Sequence, residues 1–199
     1  SALIGGATQI PSAFANFGGS ESVPRMRRHL TPHRVLTINI IILTLTFVPL
    51  MIGGVKLPYW VLLLAGFFEG WGNGACFNEL QVKVQVDADQ RDSPVATSFS
   101  YLIRMLSQTF TTAIFGLIMN QALTSGVARS DGKITMAMMN QLSDPSRAGR
   151  LPAHLVPMMR GILHTGLQNI TIVSFGLIIV ALVINLCASR HETQQQAQS

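Results

Sequence analysis

A chain of 199 residues that is 48% hydrophobic and only 12% charged, with a mean hydropathy of +0.39, carries too much apolar sequence in long runs for an ordinary soluble domain. Its net charge of +5 does not indicate nucleic acid, because Lys and Arg sit in loops between the apolar runs and form no basic stripe interleaved with aromatics. The composition points to an integral membrane protein, and the apolar runs taken in order below lead one to expect an all-α fold with about five transmembrane helices.

The opening SALIGG has neither an initiator Met nor a charged leader region, so it reads as the middle of a helix and the chain as a fragment of a longer protein. The first span, about 1–22, is interrupted by Thr8, Gln9, Ser12 and Asn16. These recur at roughly i, i+4 and i+8 and share a face, as in a cavity-lining helix, with a kink expected near Pro11. The loop from Pro24 to Arg34 gathers Arg25, Arg27, Arg28 and Arg34, which the positive-inside rule places in the cytoplasm.

The second span, 35–53, is nearly charge-free and apolar all round, as suits a lipid-facing rim. The turn 53–58 is too short for more than an outside hairpin. Returning inward, the third span, 59–82, starts with Tyr59 and Trp60 at the interfacial aromatic belt. Gly66, Gly70 and Gly74 repeat at i+4 as a close-packing ridge. Beside it runs a second line of Glu69, Asn73 and Phe77, in which Glu69 is the one carboxylate expected deep in the membrane. The two cysteines, Cys76 and Cys187, lie in or at the end of spans without a CxxC pattern, which indicates neither a disulfide framework nor a metal site.

A mixed-charge loop from Lys83 to Pro94 leads into the fourth span, 94–121, with Ser93 as N-cap and Pro94 at the first helical position. Its polar residues Thr97, Ser100, Tyr101, Arg104, Ser107, Gln108 and Thr111 take one face at helical spacing. Phe99, Leu102, Ile103, Leu106, Phe110 and Ile114 take the other. An arginine near mid-depth is expensive in hydrocarbon and is expected to face a partner or a water-filled cavity. Counted from Pro58 and Pro94, Glu69 and Arg104 fall at matching depths, so an ion pair between them is expected.

The long segment 123–165 is polar, Met-rich and broken by glycines and prolines. It is expected outside the membrane, with ITMAMMNQL and AHLVPMMRGIL as short amphipathic helices. The fifth span, 166–188, ends in a polar cytoplasmic tail, 189–199, expected to be disordered. No His lies inside a span, and neither GxSxG nor HExxH occurs, so no enzyme is expected.

Taken together, these features resemble the C-terminal part of a major facilitator superfamily transporter, and within it the fourteen-span drug:proton antiporter branch. The features are the basic loop at Pro24 to Leu36, the glycine-spaced third span with Gly70, Gly72 and Gly74, the DSPVATSFSYLIRM start of the fourth, and the outside segment before GLQNITIVSFGLIIV. Departures are visible. In the basic loop Pro24 stands for the family's first Gly, Arg28 for Asp and Thr31 for the second Gly, and Ser107 and Gln108 occupy a region where the family often has a glycine pair.

The resemblance implies five of the six helices of a C-terminal bundle in a multi-pass cell membrane protein, with the bacterial cytoplasmic membrane as the expected site. It implies proton-coupled efflux of drugs or other small amphipathic compounds by alternating access. The expected partners are a small-molecule substrate, protons, the lipid bilayer and the N-terminal half of the same polypeptide, with no nucleic acid and no cofactor. Gln9, Asn16, Glu69, Asn73, Thr97, Tyr101, Arg104 and Gln108 are the candidate substrate and proton pathway residues. The rival expectation is a non-transporting membrane scaffold or assembly subunit, since glycine ridges serve both.

Overall fold

The computed structural model describes residues 9–52, 58–130, 132–143, 152 and 154–196. All elements among them are helices: α1 (Gln9–Met26), α2 (Pro32–Ile52), α3 (Tyr59–Asp87), α4 (Ser93–Ala128), α5 (Met136–Ser143) and α6 (Val156–Gln196). Three of them, α2, α4 and α6, are long and apolar enough to cross a membrane, over Pro32–Met51, Ser93–Ala128 and Val156–Arg190. The sequence leads one to expect five such helices. By composition α1 and α3 fall short, α1 through the polar residues along its length and α3 through its glycines, Asn73 and Glu69.

α3 is the central element. It packs against α1, α2 and α4, and α6 joins the outer sides of α2 and α4. The contact between α1 and α3 is backbone to backbone. A Cβ added at Gly70 would run into the Ser12 carbonyl, one at Gly74 into that of Asn16, and one at Gly19 into that of Trp71. The i+4 glycine ridge thus has its counterpart in the small residues of α1, and the two helices approach as closely as their chains allow.

α2 is less of a rim than its composition suggests. Val35, Leu36, Asn39, Ile40 and Thr46 are buried, whereas Ile38, Ile41, Leu45 and Val48 are exposed along one stripe. It therefore sits between α3 and α6 with a single apolar face outward. At its start, Lys83 Nζ donates to His33 Nε2 (3.0 Å), which fixes the tautomer so that Nδ1–H donates to Asn185 Oδ1 (3.0 Å). Asn185 Nδ2 returns bonds to the His33 carbonyl (3.1 Å) and Thr37 Oγ1 (2.8 Å). One histidine thereby ties α2, α3 and α6 together at the end of the molecule that carries the arginine-rich loop, hereafter the basic end.

Several expected boundaries move. α3 runs on to Asp87, so the loop expected from Lys83 shortens to the turn before Ser93. The N-cap of α4 is Asp92 rather than Ser93, with no side-chain cap bond. α4 continues through Ala128 and α6 begins at Val156, so both ends of the segment expected outside the membrane belong to the long helices. The second amphipathic stretch is the first turns of α6 rather than a separate helix. The tail expected to be disordered continues α6 through Gln196. The kink expected near Pro11 concerns residues partly outside those described, as do the turn 53–58, most of 144–153 and residues 197–199.

Where α4 and α6 overshoot, they build a small core of their own. Ile134, Met139, Met159 and Ile162 are buried together, with Leu123, Val127 and Leu142 packed around them. Gly126 lies against Ile162, where a Cβ would clash. Ser130 Oγ donates to the Val127 carbonyl (2.6 Å) and accepts from Ile134 N–H (3.1 Å). This staples the turn through Gly132, whose φ of 76° suits glycine.

Candidate polar cavity

The polar stripes of α1, α3 and α4 converge on one cavity of about 480 Å³, walled by Asn16 and Ser20 of α1, Asn73 and Asn78 of α3, and Arg104 and Gln108 of α4. A second cavity of about 770 Å³ adjoins it between α3 and α4 and shares Phe77, Gln81, Arg104 and Gln108 with the first. Ser107, Thr111 and Ile103 line the second one. Ile103 thus belongs to the cavity side of α4, although its spacing assigns it to the apolar face.

Asn78 fastens this wall. Its Nδ2 donates to both the carbonyl (2.8 Å) and the hydroxyl (2.7 Å) of Ser20, which holds α1 and α3 in register beside the glycine contacts. Arg104 stacks on Phe77, with Cζ 3.7 Å from the ring centroid. A guanidinium held over an aromatic face gains from the ring quadrupole and keeps its N–H edge free.

Of the expected pathway residues, Asn16, Asn73, Arg104 and Gln108 meet at the cavity. Gln9 is exposed at the start of the described α1, Thr97 lies outside both linings, and Tyr101 is exposed. Glu69 is also outside both linings, and Ser12 Oγ donates to its carboxylate (3.3 Å) across the α1–α3 contact.

The expected Glu69–Arg104 pair does not form. Matching their depths assumed that α3 ends with the hydrocarbon core, but it has 29 residues, ~43 Å at ~1.5 Å per residue. Phe77, the residue level with Arg104, follows Glu69 by eight residues, ~12 Å along the helix. Glu69 is accordingly too far along α3 to reach the guanidinium.

Among the described residues the fully buried carboxylate is Glu79, which sequence reasoning passed over. Arg27 grips it with Nε to Oε1 (3.0 Å) and Oε2 (2.9 Å), and with Nη2 to Oε1 (2.8 Å). The Glu79 side chain is 0% exposed and that of Arg27 22%. This hydrogen-bonded pairing raises the Arg27 pKa further, against the opposing effect of its own burial. The pair clips the basic loop onto α3, next to the buried cluster of Val23, Val35 and Ala75.

Ser20, Asn78 and Gln81 were also missed, and for two of them the signal was present. Ser20 extends the Ser12, Asn16 line by one i+4 step, and Gln81 extends Asn73, Phe77 in the same way. Among the described residues both linings carry a single charge, that of Arg104, and hold no carboxylate. In comparison with known proteins, the chain matches no family model, no curated protein and no solved structure.

Proposed function

We infer that the chain forms most of one half of an alternating-access transporter. Its five spans would be α1, α2, α3, α4 and α6, in a major-facilitator-type bundle of the drug:proton antiporter kind that exports small amphipathic compounds across the cell membrane. The observation that carries this reading is the polar cavity between α1, α3 and α4. Phe77 and Arg104 stand ten and eleven residues from the basic ends of their helices, ~15 Å at ~1.5 Å per residue, well inside helices of 29 and 36 residues.

Polar side chains at that depth are costly unless they face water, a ligand or one another. The outward faces of the same helices suit lipid, with Phe14, Phe17, Phe99, Leu102 and Phe110 exposed. A cavity walled on one side calls for a second bundle to close it, and two half-bundles rocking about a shared midplane site is how such transporters alternate access. A scaffold would use the glycine packing of α1 on α3 but has no need of an amide-lined cavity.

The test is efflux from cells expressing the full-length protein, with amphipathic dyes of both charges. Asn73→Ala and Gln108→Ala remove hydrogen-bonding groups from the cavity and leave the α1–α3 contact alone. Both should lower efflux at unchanged membrane abundance, and a protonophore should abolish it. Full efflux in both variants would sink the reading. The 199-residue chain reconstituted by itself should move no dye against a gradient, because the opposing half-bundle is absent.

A further inference from the structure

Charge in the cavity is one-sided. Among the described residues Arg104 is the single charged group in either lining, and the two carboxylates of α3 that come nearest in sequence are turned elsewhere. Glu69 accepts from Ser12 of α1, and Glu79 is held by Arg27 at the basic end. Phe77 covers one face of the Arg104 guanidinium. A π face stabilises the cation but accepts no in-plane N–H bond, so the fork of N–H donors remains available to whatever fills the cavity. The neighbouring groups, Asn16, Asn73 and Gln108, are neutral amides that add donors without cancelling the charge.

Resting on the transporter reading above, we propose that this cavity takes small organic anions rather than organic cations, with a carboxylate or sulfonate bound edge-on to Arg104 and an apolar body laid along Phe77 and Ile103. A planar carboxylate matches the guanidinium fork in a way that a lysine-like point charge does not require. A cationic compound would meet Arg104 with no counter-charge among the described lining residues, which disfavours it. On this wall of the cavity the sign of the ligand is therefore selected by Arg104.

The experiment uses the full-length protein in nanodiscs of phosphatidylcholine, which carry no net charge. Two probes of one shape, 2-naphthoate and 2-naphthylmethylammonium, are titrated by equilibrium dialysis. Naphthoate is expected to bind saturably and the cation about tenfold or more weaker. Loss of a charge-assisted hydrogen bond predicts about a 10- to 100-fold loss of naphthoate affinity in Arg104→Gln, with partial retention in Arg104→Lys. Gln108→Glu keeps Arg104 and the fold but supplies the missing acid, so it should weaken naphthoate to a similar extent and strengthen the cation.

Tighter binding of the cation in the wild type would overturn the anion proposal and leave the transporter reading standing. Absence of binding by either probe, or binding indifferent to Arg104→Gln and Gln108→Glu, would overturn both. Displacement of naphthoate when phosphatidylglycerol replaces part of the lipid would assign Arg104 to a lipid headgroup and overturn the small-anion proposal.

Discussion

Cutting the Arg27–Glu79 pair should be far more damaging from one side than from the other. Arg27→Met leaves the Glu79 carboxylate, which is 0% exposed, without its cation and beyond the reach of water. Breaking a buried pair in this way costs about 3–5 kcal/mol. Glu79→Leu leaves Arg27, which keeps 22% of its side-chain surface and a long flexible stem that can turn outward. That loss is nearer the cost of an imperfectly satisfied polar group, roughly 1–3 kcal/mol. The double variant removes both charges and should return to within about 1–2 kcal/mol of wild type. Because the raised Arg27 pKa means that its contribution is lost only as pH rises into the strongly alkaline range, these differences should hold between pH 5 and 9 as far as the arginine is concerned. Unfolding in mixed micelles at increasing SDS fraction, followed by far-ultraviolet circular dichroism, gives the comparison. A cost below about 1 kcal/mol for Arg27→Met, or a double variant equal to the sum of the singles, would refute the reasoning.

Gly74→Ala should destabilise by about 1–3 kcal/mol, because its methyl meets the Asn16 backbone. Gly116→Ala has open space around it and should be neutral or stabilising by up to ~1 kcal/mol on helix propensity; equal effects in the same unfolding assay would contradict the packing described. Asn39→Leu should not destabilise, since Asn39 Oδ1 is buried with no hydrogen-bond partner and an apolar group of similar volume removes that cost of about 1–3 kcal/mol. Met159→Ala opens a void in the core shared by α4, α5 and α6 and should cost about 2–5 kcal/mol locally, seen as faster tryptic cleavage at Lys133; unchanged cleavage would count against that core. For orientation, single cysteines at Arg28 and Lys133 in a Cys-free background should differ in reaction with a membrane-impermeant thiol reagent added outside cells. Labelling at Lys133 is expected, and labelling at Arg28 alone would invert the proposed topology.

What the sequence disclosed was mostly what periodicity carries. The polar stripes of α1, α3 and α4 were readable because a cavity face repeats every three to four residues, and Asn16, Asn73, Arg104 and Gln108 follow from them. The glycine ridge was readable for the same reason, and Gly70 and Gly74 do lie against the α1 backbone. Distances along a helix were not readable, since they depend on where each helix stops. α3 passes Val82 with Lys83 paired to His33 and ends only at Asp87. That extension separates Glu69 from Arg104. Glu79 was hidden by a different cause: its partner lies in a loop 52 residues earlier, and no spacing rule links the two. The fusion of the second amphipathic stretch with α6 was equally tertiary, because Pro157 fits the first turn of a helix and the shared core of Met159 and Ile162 keeps that turn in line with the helix beyond it.

The central claim is that polar side chains at mid-depth on α3 and α4 face a water-filled cavity rather than lipid. Single cysteines placed at Asn73 and Gln108, which line it, and at Phe110 and Val180, which are exposed on apolar faces, test this directly in a Cys-free full-length protein. The rate of reaction with a small hydrophilic methanethiosulfonate reagent that carries a sulfonate is measured in membranes for each position. The account predicts rates at Asn73 and Gln108 at least about tenfold above those at Phe110 and Val180, because the thiolate that reacts forms only where water reaches the sulfur. Equal, slow reaction at all four positions would contradict it.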